Sequence, residues 1–204
     1  MSVRAAALTA AALLALAGAG CDRRSETAEA PAAPPAAPAA PAAPAAPALV
    51  VADGFRHQDG FEASGYYMPP NRIQTGRYAL SHLAVGMPSD FQTWERGDRA
   101  STFGPILFQF DDITSPRVPN ELGGEGHSVT VRVLPEAYSF DAVRMSFRGR
   151  DAKLGEVTFV GTFDKAALER AKAAGSSPEV VLNGDLRIGD APARKIAFTY
   201  WVGD

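Results

Sequence analysis

Apolar and polar residues alternate along most of the chain after Leu49, and this alternation predicts β-strands. Val129, Val131 and Val133 alternate with polar neighbours. A period of two indicates a strand with one buried face, because successive side chains point to opposite sides. The same period recurs in the segments 143–148, 157–163, 180–188 and 195–202. Further strands are predicted at 78–85, at 106–110 and, more weakly, at 49–52.

Two short helices are predicted between these strands. Ser89 to Gln92 has the spacing of a capping box, and Gly97 can end the turn that follows. The second helix is expected to have Asp164 as its N-cap, to run over residues 165–174 and to stop at Gly175.

The connectors between the predicted strands favour antiparallel hairpins. Segments 151–155 and 189–192 are short and contain glycine, so they suit tight turns and are too short for a crossover helix. The expected fold is mainly β: an antiparallel β-barrel or β-sandwich of about seven or eight strands with two short helices. The periodicity agrees equally well with a barrel and a sandwich.

The first 20 residues differ in composition from the predicted strands and have the layout of a secretory signal. One positive charge, Arg4, precedes sixteen uncharged residues with an apolar centre. A membrane-spanning helix needs about 20 apolar residues, and this stretch is short and weakened by alanine and glycine. Cys21, the only cysteine of the chain, follows directly.

Residues 17–21, Ala-Gly-Ala-Gly-Cys, resemble the lipobox of bacterial lipoproteins, although Gly18 stands where that family usually has leucine. The resemblance implies cleavage after Gly20, lipidation of Cys21 and anchoring to a membrane facing the periplasm. Asp22 resembles the residue that retains some lipoproteins in the inner membrane, and the outer membrane is the alternative. A plain secreted protein with an incidental Cys21 is the other interpretation, but a lone cysteine in an exported chain favours lipidation.

Residues 28–48 comprise thirteen alanines, seven prolines and one glutamate. Proline disfavours helix both at its own position and at the preceding one, so this segment is predicted to be an extended tether. At about 3.1 Å per residue it could reach on the order of 60 Å. The predicted organisation is a signal peptide at 1–20, the lipidated cysteine and a disordered tether at 21–48, and one β-rich periplasmic domain at 49–204.

Charge and motifs exclude several classes of function. With 20 basic and 23 acidic residues the net charge is −3, which argues against nucleic acid as a partner. The sequence has no nucleophile elbow, zinc-protease helix, phosphate-binding loop or dinucleotide fingerprint. We therefore expect no catalytic residue and no cofactor. His57 is expected in an exposed loop, and His82 at the edge of the core.

One segment between predicted strands gathers acidic groups and a histidine. Oxygen ligands bind calcium, and Glu with His binds zinc, but the spacing does not match an EF-hand. The alternative is a solvated, mobile loop of about sixteen residues, which is the best candidate for a recognition loop. The candidate metal ligands are Asp111, Asp112, Glu121, Glu125 and His127.

Arginines recur on the predicted solvent side of neighbouring strands. They form either a basic stripe for an anionic partner or cross-strand pairs with Glu136 and Glu156. These arginines are Arg132, Arg144, Arg148 and Arg150.

Three functions follow from these patterns. The first is a non-enzymatic, membrane-anchored lipoprotein whose domain binds another envelope component, a protein. The second is a β-barrel that carries a hydrophobic small molecule, and the third is a metal-assisted hydrolase using residues 111, 112, 125 and 127. The carrier would enclose its ligand with the inward side chains Val131, Met145, Phe159, Leu182 and Phe198.

Overall fold

A computed structural model describes residues 49–119 and 123–203, and one curled, mixed sheet dominates it. Its eleven strands are β1 (Phe55–His57), β2 (Gly65–Met68), β3 (Gln74–Thr75), β4 (Tyr78–Val85), β5 (Ile106–Asp112), β8 (Thr130–Val133), β9 (Pro135–Phe140), β10 (Arg144–Asp151), β11 (Gly155–Phe163), β12 (Ser176–Ile188) and β13 (Arg194–Trp201). A separate two-stranded sheet contains β6 (Arg117–Pro119) and β7 (Glu125–His127). The helices are α1 (Pro88–Glu95) and α2 (Lys165–Ala174).

The mainly β prediction with two short helices is confirmed, but the sheet is larger than predicted and is not wholly antiparallel. Its strand order is β1-β9-β10-β11-β12-β13-β2-β4-β5-β8, with β3 added beside β4. Strand β1 pairs in parallel with β9. The weak strand predicted at 49–52 is wrong, since that segment has no strand pairing and the first strand begins at Phe55.

The sheet curls into a half-barrel. A single residue connects strands β8 and β9, which lie near opposite ends of the strand order. Strand β8 pairs with β5, and β9 pairs with β10, yet only Leu134 separates β8 from β9. The turn brings the Leu134 carbonyl against Gly149, where a side chain would collide with it. Glycine therefore permits the close approach of these two backbone segments.

The concave side of the sheet holds one hydrophobic core rich in phenylalanine. The Phe159 ring lies at its centre, with its centroid 5.6 Å from that of Phe108 and 5.8 Å from that of Phe198. The same ring covers Gly161 and Gly184, which face each other on β11 and β12. A Cβ atom at Gly184 would lie 2.5 Å from this ring and 2.5 Å from the Val160 carbonyl, so glycine is required there.

Both helices pack on this core with their apolar faces. Helix α2 has the predicted bounds: Asp164 accepts a hydrogen bond from the Ala167 amide at 3.0 Å, and Gly175 ends the helix with φ of 76°. The capping box predicted at Ser89 is wrong by two residues: the N-cap of α1 is Met87, whose amide donates to the Asp90 carboxylate at 2.8 Å. Phe91 and Trp94 are its buried residues.

Candidate functional site

Asp112, a predicted metal ligand that is fully buried, has its carboxylate occupied by protein donors. Arg77 donates to Oδ2 from Nε at 2.8 Å and also from Nη2. Thr114 donates to Oδ1 from its hydroxyl at 2.7 Å and from its amide at 3.1 Å. The hydrogen bond from Arg77 is the main reason why the pKa of Asp112 lies well below its usual range. In this arrangement Asp112 organises the turn after β5.

Two other predicted ligands, Glu125 and His127, lie in β7, which pairs with β6 within the segment predicted to be a loop. Glu125 pairs with Arg117 at 3.3 Å, and the His127 Nδ1 donates to the Ser115 carbonyl at 3.2 Å. Asp111 lies in β5, opposite Thr130, and Glu121 lies outside the described residues. In ranges 49–119 and 123–203, no three His, Cys, Asp or Glu side chains form a metal-binding group.

The Arg77–Asp112 pair makes stability depend on pH. In the unfolded chain Asp has a pKa of about 3.9, and the folded value is lower, so the stabilisation is complete above that pH and is lost as the pH falls through the folded value. We expect Asp112→Asn to be less stable than the wild type at pH 7, with the difference narrowing towards pH 2. Denaturant unfolding at pH 7, 4 and 2.5 measures this difference.

The exposed Asp190→Asn provides the control, since no ion pair involving Asp190 is present in the described part of the chain. If the free energy of unfolding of Asp112→Asn were lower than that of the wild type by the same amount from pH 7 to pH 2.5, the assigned ion pair would be contradicted.

The inward positions that a hydrophobic carrier would use are filled by their own side chains. Each of the five has less than 5% of its surface exposed, and all belong to the single core cluster. These residues are Val131, Met145, Phe159, Leu182 and Phe198. A molecule inside the sheet would have to displace these side chains, which directs the search for a binding site to the outer face.

Most arginines of the predicted basic stripe have partners. Arg148 pairs with Asp53 at 2.6 Å, Arg150 pairs with Glu156 at 3.2 Å, and Arg132 donates to the Gln109 side chain at 3.0 Å. Cross-strand pairing with an acidic residue thus applies to Arg150. Arg144 differs from them, because its exposed side chain has no hydrogen bond or ion pair to any residue that the structure describes.

Arg144 stands at one end of a groove on the outer face of β10, β11, β12 and β13, with a volume of about 490 Å³. Strand register places its lining in two parallel rows across these strands. The first row is Arg144, Thr162, Asn183 and Ala197, and the second contains Val160, Asp185 and Lys195. Asn71, which follows β2, lines the end of the groove beyond β13.

The groove combines one uncompensated positive charge with free polar groups. Lys195 and Asp185 neutralise each other at 2.9 Å. Thr162, Asn183 and Asn71 are exposed and form no side-chain hydrogen bond within the described residues. An anionic group is therefore attracted to the Arg144 end, and groups that donate or accept hydrogen bonds can be held along the rest. We define these lining residues as the outer-face groove.

A cross-strand aromatic cluster lies elsewhere on the outer face. The Tyr66 ring centroid is 5.1 Å from that of His82 and 5.4 Å from that of Trp201. Burial, with a smaller contribution from the nearby Arg132 charge, lowers the pKa of His82 to about 4. His82 is thus neutral at pH 7, as fits its expected place at the edge of the core.

His57 was expected in an exposed loop, and that prediction is wrong. Its side chain is 8% exposed and lies in β1 between two carboxylates. Its Nδ1 is 2.8 Å from Glu95 Oε1, and its Nε2 is 3.1 Å from Asp59 Oδ1. Tyr138 donates to the same Glu95 oxygen at 2.9 Å, so this cluster joins β1, α1 and β9.

Comparisons of the chain with protein-family models, curated proteins and solved structures give no match. Among the described residues, neither helix has the length and hydrophobicity needed to cross a membrane.

Proposed function

We propose that this chain is a membrane-anchored periplasmic lipoprotein whose β-rich domain binds an envelope protein without catalysing a reaction. The observation that carries the proposal is the outer-face groove, in which exposed polar groups and the Arg144 charge are unpartnered by described residues. Polar groups that are open on a rigid sheet can bind a partner without first breaking an internal contact.

The filled core supports the same conclusion from the opposite side of the sheet. With Phe159 and its neighbours occupying the interior, the outer face is the accessible surface of strands β10 to β13. The four adjacent strands hold the groove residues at fixed spacings. A recognition site on strands is better defined geometrically than one on a loop.

The residues before Leu49 supply the proposed address. The lipobox-like sequence ending at Cys21 would attach the chain to a membrane, and two or three acyl chains hold a protein there stably. The tether of residues 28–48 would then let the domain reach a target on the order of 60 Å from the bilayer.

Photo-crosslinking in cells tests this function. A photoreactive amino acid at Thr162, inside the groove, is expected to capture a discrete envelope protein, whereas the same group at the exposed Glu169 of α2 should not. Deleting residues 28–48 is expected to reduce that adduct at least several-fold while leaving the thermal unfolding of the domain unchanged. Cys21→Ser should move the protein from the membrane fraction to the soluble fraction.

The absence of a Thr162-specific adduct would refute the binding function. An adduct that persists unchanged after deletion of the tether would refute the role assigned to reach, and membrane retention of Cys21→Ser would refute the lipid anchor.

A further inference from the structure

We infer that the outer-face groove binds an extended, carboxylate-bearing segment of the partner protein, with Arg144 as the residue that contacts the carboxylate. This inference rests on the proposed binding function and adds the chemistry of the partner.

The Arg144 guanidinium is the charge that sets the groove apart from its surroundings. On the same strand, Arg148 pairs with Asp53, and Arg150 pairs with Glu156, which also pairs with Arg187 of β12. Lys195, across the groove, is neutralised by Asp185. A guanidinium presents two parallel N–H groups that fit the two oxygens of a carboxylate, and such charge-assisted pairs are stronger than neutral hydrogen bonds.

The length of the groove suits a short stretch of extended chain. Strands in a sheet are about 4.8 Å apart, so the four strands from β10 to β13 give a row about 14 Å long. An extended peptide rises about 3.3 Å per residue, and about four residues can therefore lie along the row that begins at Arg144.

The remaining polar groups match a peptide backbone. Each amide of Asn183 and Asn71 both donates and accepts, and so does the Thr162 hydroxyl. A peptide offers N–H and C=O groups in alternation, which such side chains can satisfy in either direction along the groove. Val160 and Ala197 provide apolar surface between them.

The one acidic residue of the lining helps to explain why an anionic group is attracted to only one end of the groove. Asp185 lies in the second row, paired with Lys195 across β12 and β13, whereas Arg144 lies on β10. A carboxylate of the partner is therefore attracted to the β10 end, because Asp185 already compensates the charge of Lys195 at the β12–β13 end.

A protein segment fits these residues better than a sugar or a lipid surface does. The groove is lined by no aromatic ring of the described chain on which a sugar could stack. Anionic membranes attract clusters of several basic residues, and here one unpaired cation is present. An acidic protein segment needs just such a single charge-assisted contact supported by hydrogen bonds.

Two blocked pentapeptides test this inference by NMR titration of the full chain in detergent. One is Ser-Glu-Ser-Ala-Ser, and the other has glutamine in place of glutamate. The glutamate peptide is expected to shift the backbone amides of residues 144, 162, 183 and 197, and to bind about tenfold more tightly than the glutamine peptide at low salt. Raising the salt concentration should reduce that preference.

Matched variants assign the preference to one guanidinium. Arg144→Gln should abolish the tenfold preference, and Arg144→Lys should retain part of it, because lysine keeps the charge but loses the two-pronged geometry. Arg150→Gln, on the same strand but paired with Glu156, should leave it unchanged. Thermal unfolding of each variant checks that the fold is retained, as expected for exposed positions.

Equal binding of the two peptides, shifts outside the groove, or an unchanged preference in Arg144→Gln would overturn the inference. Binding of a glucuronate-containing oligosaccharide at the groove without binding of the glutamate peptide would also overturn it. If Thr162 captures an envelope protein in cells and Arg144→Gln does not reduce the adduct, the carboxylate chemistry is wrong and the binding function stands. If Thr162 captures nothing, the binding function itself fails.

Discussion

Phe159→Ala is expected to lower the free energy of unfolding by about 3–5 kcal/mol, the usual range for removing a fully buried phenylalanine. The ring packs against Phe108 and Phe198 and covers two glycines, so its removal leaves a cavity in the middle of the core. Urea unfolding followed by tryptophan fluorescence measures the change. A loss below about 1 kcal/mol would show that the interior has room to spare, as a carrier of hydrophobic molecules requires.

A double-mutant cycle with Gly161 distinguishes direct packing from a general loss of structure. Gly161→Ala alone is expected to cost about 1–3 kcal/mol, because its new methyl group would collide with the Phe159 ring. In the Phe159→Ala background the same change should cost less, since the ring is gone and only the close approach to the Asn183 carbonyl, at 2.9 Å, remains. Additive losses would contradict the placement of the ring over Gly161.

Acidification from pH 7 to pH 4 is expected to destabilise the fold by about 2–3 kcal/mol through the lowered pKa of His82. The unfolded histidine has a pKa of about 6.5, whereas burial lowers the folded pKa to about 4. The unfolded chain therefore binds the extra proton first, so the stabilisation is complete above pH 6.5 and is lost as the pH falls towards 4. Denaturant unfolding of the wild type and of His82→Gln, compared at each pH, isolates the contribution of His82.

Two independent measurements bear on this result. An NMR titration of His82 should give a midpoint well below that of a free histidine, and Arg132→Gln should move the midpoint upwards because it removes a nearby positive charge. The lowered pKa of His82 would be contradicted if the free energy of unfolding varied with pH in the same way in the wild type and in His82→Gln. A titration midpoint of His82 equal to that of a free histidine would contradict it as well.

Local sequence signals predicted the elements whose causes lie within a few residues. The bounds of α2 follow from Asp164 and Gly175, and β4 covers the predicted residues 78–85, although a bulge between Leu80 and His82 interrupts its alternation. Strands β3, β6 and β7 have only two or three residues each, too few to show a period of two. These three strands are missing from the strand count predicted from periodicity, as are β1, β2 and β9.

The outer-face groove depends on register, which single-sequence patterns do not contain. Arg144 was recognised as part of a basic stripe, but its place beside Thr162 and Asn183 follows from the pairing of β10, β11 and β12. Likewise, no local pattern indicates that Arg148 pairs with Asp53, which is 95 residues away. Distant pairing decides which charges stay free, and a free charge is what defines this site.

The prediction that His57 is exposed is wrong for the same reason, because its burial depends on residues far away in the sequence. The Asp59-Gly60 pair after it is typical of a turn, and a turn indicates exposure. Its burial comes from Glu95 and Phe91 of α1, which pack on it from elsewhere in the chain. The parallel pairing of β1 with β9 brings these elements together, and nothing near His57 in the sequence indicates it.

The two strands at the ends of the sheet order are short, and this affects whether neighbouring copies of the domain would aggregate through their sheet edges. Strand β1 has three residues and β8 has four. Anchoring at Cys21, as proposed, would concentrate many copies in the plane of one membrane. Unpaired strand edges are the template on which β-proteins aggregate, and short edges offer few backbone groups for this. The sheet could thus be displayed at high surface density with little tendency to pair edge to edge.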